Sequence, residues 1–190
     1  VRDTIEISVP DEAGCLALLR KYNTPEHIIS HSRMVWAVGK LLADGLLKKG
    51  FLIDLKLLRA SCLLHDIAKY PCIVDKSGWH DEKGEEMLRK EGLPLVGSIV
   101  LQHVLLRGDS NDDIGEPHLL NYSDKRVVHD RVTSLDERFT YLAQTYGKTP
   151  RALERLEVMK KATFRLERRI FRHLDFLPED VPDLIVKPEG

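Results

Sequence analysis

After residue 10, apolar positions along this chain recur at intervals of three and four almost throughout, a spacing that predicts helices rather than strands. Before that point Ile5, Ile7 and Val9 alternate and stop at Pro10, so residues 1–10 read as an extended lead-in. Asp11 can cap a short first helix with Leu16, Leu18 and Leu19 on its apolar side. Thr24-Pro25-Glu26, a cap followed by proline at the first helical position, opens a long second helix that runs to Gly50. Its inner side is Ile28, Met34, Val35, Val38, Leu41, Leu42 and Leu46. Asp54 caps a third helix from Leu55 to about Lys69, which Pro71 ends, and residues 70–79 read as a loop. A fourth helix covers about His80 to Lys90 and stops at Gly92; a fifth opens at Pro94 and reaches about Arg107. Beyond the polar loop 108–116, a sixth contains Leu119 to about Val128. The capping box Ser134-Leu135-Asp136-Glu137 starts a seventh. Thr149-Pro150 starts a charged last helix that ends near His173, and Pro178, Pro182 and Pro188 make the remainder a loop.

Amphipathic helices joined by short links, with no internal repeat, predict an all-α fold, a single helical bundle. The expected organisation is the lead-in over 1–10, one domain over 11–175 and a proline-containing tail over 176–190. With 190 residues of which 43% are hydrophobic, the chain can build one sizeable core. Its 29 basic and 30 acidic residues nearly cancel and are interspersed. No basic stripe favours a nucleic-acid duplex or an anionic membrane, which leaves a small phosphorylated ligand in a local cationic pocket. Cys15, Cys62 and Cys72 are odd in number and widely spaced, against a disulfide framework or a zinc ribbon. Cys62, within Ala60-Ser61-Cys62-Leu63-Leu64, reads as a core residue. No stretch is long and apolar enough to span a membrane and the first residues do not form a signal peptide, so a cytoplasmic location is expected. The chain opens on Val1 rather than a methionine, as a processed chain or one piece of a longer protein would.

The chemistry centres on His65-Asp66, which follows Leu63-Leu64 on an otherwise apolar helix side. A carboxylate buried there without a partner would cost several kcal/mol, so it needs a cation or a dense set of hydrogen bonds. Neighbouring helical residues diverge by about 100°, yet two side chains can still meet at an ion seated over the edge between them. Lys69, four residues after His65 and three after Asp66, projects over the same face. Beside a metal it suits a substrate phosphate; alternatively it is a solvated charge at a helix end.

Leu-Leu-His-Asp-Ile-Ala-Lys at 63–69 resembles the core motif of the HD superfamily of metal-dependent phosphohydrolases, whose pattern is a His, then His-Asp, then a distant Asp. His31 matches the first histidine and Asp124, in Tyr-Ser-Asp-Lys, the last aspartate; Ser134-Leu-Asp-Glu-Arg138 resembles the segment that often follows. The likeness extends over roughly residues 15–147. It implies a bundle of the HD-domain type in which His31, His65, Asp66 and Asp124 hold a metal, with Asp66 and Lys69 as catalytic residues. His80, in His-x-x-x-Gly84, and His103 resemble the extra ligands of the dinuclear branch, which includes cyclic-dinucleotide phosphodiesterases and HD-type diadenosine tetraphosphate hydrolases. The resemblance then implies that Asp66 bridges two ions, His31, His65 and Asp124 completing one site and His80 and His103 the other. Nitrogen and oxygen donors without thiolate suit iron or manganese, with zinc, cobalt or nickel possible in vitro. The Gly-Tyr-Pro motif of one cyclic-di-GMP phosphodiesterase group is absent, which disfavours that substrate.

The expected activity is hydrolysis of a phosphoester or phosphoanhydride of a small, nucleotide-like substrate by metal-activated water. Two alternatives stand beside it: a dinuclear-iron oxygenase of the HD type, and a non-catalytic metal- or nucleotide-binding regulatory module. Arg107, four residues after His103, is either a second phosphate contact or a solvated helix end. Lys125 and Arg126 flank Asp124, and one of them is a candidate to reach the pocket. His27, one turn before His31, reads as a solvated or capping residue, and His118, His129 and His173 as structural or surface residues. Arg151, Glu154, Arg155, Glu157, Lys160 and Lys161 of the last helix read as a solvated face.

Overall fold

Asp11 starts the first helix by accepting the Gly14 N–H at 2.8 Å, and α1 spans Glu12–Lys21. In this computed structural model residues 9–76, 78–107 and 113–185 are described; most of the expected lead-in, part of the 108–116 loop and the tail's Pro188 lie outside them. The long second helix, α2, spans Glu26–Lys48, with Pro25 rather than Thr24 at the cap position. Asp54 caps α3, Leu55–Leu64, by accepting the N–H groups of Lys56 and Leu57.

The expected single helix through Lys69 is two pieces. At His65 the chain tightens, with Ile67 N–H donating to Leu64 O and Lys69 N–H to Asp66 O, three residues back rather than four. A new helix, α4, then runs Lys69–Asp75 where a loop was expected. Pro71 does not end a helix here; it lies in the first turn of one, where a missing N–H needs no partner. Lys76, at φ 52°, terminates it. α5 spans His80–Lys90.

The fifth expected helix is shorter than its pattern: α6 covers Pro94–Val100. His103 therefore lies on the turn beyond it, where its Nδ1–H donates to Val100 O at 2.7 Å and satisfies a carbonyl of the helix end. α7 spans Glu116–Lys125 and stops before the β-branched pair Val127-Val128. That pair forms β1 and pairs antiparallel with β2, Arg131–Val132, through the turn His129-Asp130 with His129 at φ 56°. This small hairpin replaces the expected end of the sixth helix. α8, Leu135–Tyr146, opens on the expected capping box, Ser134 Oγ accepting the Glu137 N–H at 3.1 Å. Thr149 caps α9, Pro150–Phe171. The start of the tail is not a plain loop: a 3-10 turn, Pro178–Asp180, leads into α10, Val181–Leu184, each with proline in its first turn. Arg126 fastens it by donating to Pro178 O at 2.8 Å, and Val181 is fully buried.

Among the described residues the fold is all-α apart from the hairpin. α2 is its spine, buried through Val35, Val38, Leu42 and Leu46 in one core with Leu58, Leu119, Tyr122 and Ile170. A second core joins Leu19, Leu63, Leu64, Ile67, Leu88 and Val100 under α1, α3, α5 and α6. A Cβ at Gly39 would stand 3.2 Å from Cys62 Sγ and 3.4 Å from Ser123 Oγ, so α2 lies close against both α3 and α7. That crossing brings three chemistry-bearing segments to one place. Among the described residues, no helix is long and apolar enough to cross a membrane.

Candidate metal centre

His31 sits in the second turn of α2, His65 caps the C-terminal end of α3, and Asp124 lies near the end of α7. Each of three histidines is oriented by a backbone carbonyl. The partner of His31 Nδ1 is His129 O at 2.7 Å, that of His65 Nδ1 is Cys62 O at 2.8 Å, and that of His103 Nδ1 is Val100 O at 2.7 Å. A carbonyl only accepts, so these contacts assign the proton to Nδ1 and turn Nε2 inward. Such outer contacts set the tautomer of metal-ligating histidines.

The inward atoms face one another. His31 Nε2 is 3.2 Å from Asp124 Oδ1. His65 Nε2 is buried with no hydrogen-bond partner, 3.5 Å from Asp66 Oδ2 and 3.7 Å from Asp124 Oδ1. His80 Nε2 and His103 Nε2 stand 3.0 Å apart, at 3.5 and 3.9 Å from Asp66 Oδ1. The six donors sort into two groups, His31-His65-Asp124 and Asp66-His80-His103, and within each the ligand atoms lie within 4.8 Å of one another. Asp66 also spans the two, with Oδ2 toward His65 and Oδ1 toward the other histidines. Lone pairs and carboxylate oxygens converging in a buried interior are costly without cations among them. The residues therefore fit a divalent metal at each group.

The electrostatics agree. Burial opposes ionisation of Asp66, but His65, Lys69 and His80 outweigh it and hold its carboxyl well below the usual range. Against the same penalty, Lys125 and Arg138 do so for Asp124. Burial pushes His31, His80 and His103 down, toward the neutral rings a metal requires. His65 is the exception: burial disfavours its cation, yet the Asp66 and Asp124 carboxylates raise its pKa. A proton and a metal ion compete for that same lone pair.

Lys69, at the start of α4, donates to Asp66 Oδ2 at 2.7 Å and keeps 31% of its side chain exposed, so it stands at the mouth of the centre. Arg107 lies beyond the end of α6. Because α6 ends at Val100, Arg107 shares no helical face with His103; it is exposed, and its N–H donates to Gln102 Oε1. Of the two residues flanking Asp124, Lys125 turns inward, 3.3 Å from Asp124 Oδ2, and Arg126 turns to Tyr122 Oη, Thr133 O and Pro178 O. His27 is exposed. Sequence reasoning missed Asn121, whose side chain holds the Gln102 and His103 carbonyls, and the His129 carbonyl behind His31. It also gave no separate role to Arg138, 3.3 Å from Asp124 Oδ1. Asn121, four residues before Lys125 on one helical face, was the available signal.

The family whose sequence model matches this chain is described as HD domain, over residues 28–143. A tRNA (cytidine(56)-2'-O)-methyltransferase of Thermoplasma volcanium is 38% identical over 97 residues, 50% of this chain and 26% of that protein. The chain thus spans about a quarter of that relative's length. No solved structure matches.

Proposed function

Because the chain belongs to the HD domain family, within the superfamily of metal-dependent phosphohydrolases, we propose that it hydrolyses a phosphoester or phosphoanhydride bond of a nucleotide-like substrate in the cytoplasm. The observation that carries this reading is Asp66, buried between two sets of donor atoms with one carboxylate oxygen toward each. His31, His65 and Asp124 would hold one ion, and Asp66, His80 and His103 the other, with iron or manganese favoured. When bound, such ions supply Lewis acidity that lowers the pKa of water and offsets charge on phosphoryl oxygens.

The chain's own groups do the rest. The carbonyls of His129, Cys62 and Val100 lock three imidazoles so that their Nε2 lone pairs stay inward. Lys69 remains a cation because Asp66 outweighs the burial that would lower its pKa. At the mouth, its Nζ can donate to a phosphoryl oxygen as charge grows there. The methyl transfer in the relative's name is not carried over, since the match covers a quarter of that protein.

The test is metal analysis of anaerobically purified protein, followed by a phosphate-release screen over nucleotides with manganese or iron. Wild type should release phosphate only with metal, and Asp66→Ala should lose metal and turnover together. Full turnover in Asp66→Ala, or no hydrolysis product from any nucleotide or dinucleotide with metal-loaded wild type, would count against the proposal.

A further inference from the structure

We infer that Asn121 and Lys125 are positioning residues that make the Asp66-His80-His103 site depend on α7, a helix that gives it no ligand. The inference rests on the two-ion reading above. His103 lies on the turn beyond α6, its N–H donating to Val100 O three residues back instead of continuing the four-residue ladder. Contacts from α7 hold the carbonyl side of that turn. Asn121 Nδ2 donates to Gln102 O at 2.9 Å and to His103 O at 3.0 Å. Lys125 Nζ donates to His103 O and lies 3.4 Å from Val104 O. These residues are four apart on one face of α7, and both are buried, at 5% and 2% exposure. The same Lys125 ammonium is 3.3 Å from Asp124 Oδ2, a donor of the other site.

The blander account makes Lys125 a counter-charge for buried Asp124. Arg138 already approaches that carboxylate at 3.3 Å, and a simple counter-charge has no need of the His103 carbonyl. Burying an ammonium is also unfavourable, so its seat between the two groups needs both sets of partners. The two contacts of Lys125 act in opposite directions on metals. Its charge beside Asp124 Oδ2 draws donor density from the His31-His65-Asp124 site, while its grip on the turn keeps His103 aimed at the other.

The experiment is calorimetric titration of apoprotein with manganese, for wild type, Lys125→Met and Asn121→Ala. A His80→Ala, His103→Ala double variant identifies which equivalent belongs to the His31 site. Lys125→Met keeps the buried stem and removes the charge. It should tighten the His31 equivalent by about threefold or more and weaken the other by about tenfold, the scale of losses at outer-shell residues. Asn121→Ala should weaken the second equivalent alone, and it decides the matter if Lys125→Met does not fold. Equal weakening of both equivalents in both variants is what a merely structural role gives, and it would overturn the inference. So would an unchanged second equivalent. Wild type binding one equivalent would remove the two-ion reading itself, and this inference with it.

Discussion

Two glycines on the contact between α5 and α6 should respond to alanine with opposite signs. A Cβ at Gly97 would stand 3.1 Å from the Glu85 carbonyl oxygen and 3.5 Å from Glu85 Cα. A Cβ at Gly84 would meet Val100 Cγ1 at 3.4 Å, then Ala68 Cβ and Ile67 Cγ2 at 3.8 Å, all ordinary contacts with side chains. Alanine is favoured over glycine inside a helix by about 1 kcal/mol. Gly84→Ala should keep most of that gain. At Gly97 the obstacle is the backbone of α5, which cannot rotate aside, and overpacking costs about 1–3 kcal/mol. Net destabilisation of about 1 kcal/mol follows, and the two variants should differ by about 2 kcal/mol. Urea unfolding reads this as midpoints displaced to either side of wild type at constant slope. Displacing α5 also moves His80, at its start, away from His103, 3.0 Å distant, so Gly97→Ala should weaken the second manganese equivalent as well. If Gly97→Ala proved as stable as Gly84→Ala, the claim that backbone sets this approach would be wrong.

Burial pushes the Cys15 thiol up to about 12 and raises that of Cys62 as well, whereas Cys72 is only half-buried on α4; native protein should therefore show one fast thiol with Ellman's reagent and three in urea, and two fast thiols would contradict that packing. Tyr122 Oη lies 2.5 Å from both Glu167 Oε2 and Arg126 Nη1, so Tyr122→Phe strips a partner from each and should cost about 1–3 kcal/mol. A melting temperature within a degree of wild type would refute this. Glu91 accepts from Lys21 and from Tyr22, bonds that hold its carboxyl below the ordinary value. A depressed folded pKa stabilises above the unfolded value, about 4.3, and that contribution is lost as pH falls through the folded value. Glu91→Gln should thus be less stable than wild type at pH 7, with the gap closing below about pH 4; an unchanged gap at pH 3 would dismiss the linkage.

The helices were legible because burial imposes a period, and α2, α5 and α9 lie within a few residues of their expected bounds. Errors fell where a local bond outweighed that period. The helix through His65 broke because i→i−3 bonds tightened the turn, and the one before His103 stopped because the histidine capped a carbonyl itself. Pro71 misled for a different reason, since proline ends a helix or opens one according to what precedes it. Val127-Val128 carried β-branched character, but a two-residue strand has no period to read. In the centre, side chains with metal-binding chemistry stood out in the sequence, whereas the His129, Cys62 and Val100 carbonyls could not, because a backbone oxygen has no sequence signature.

The charges around the carboxylates bear on the substrate. Before any metal is added, Asp66 and Asp124 already face three cations, with Lys69 2.7 Å from Asp66 and Lys125 and Arg138 each 3.3 Å from Asp124. A site built only to retain divalent ions gains from surplus negative charge; this one has none. With divalent ions bound, the centre would carry excess positive charge in a low-dielectric interior, where charge is weakly screened. Lys125 and Arg138 are buried behind Asp124 and cannot turn to solvent, which leaves the mouth beside Lys69 as the place where that excess can be neutralised. A neutral molecule such as oxygen does nothing to offset it. A multiply charged phosphate does, and more so as negative charge develops on its oxygens, as the proposed phosphoryl chemistry would require.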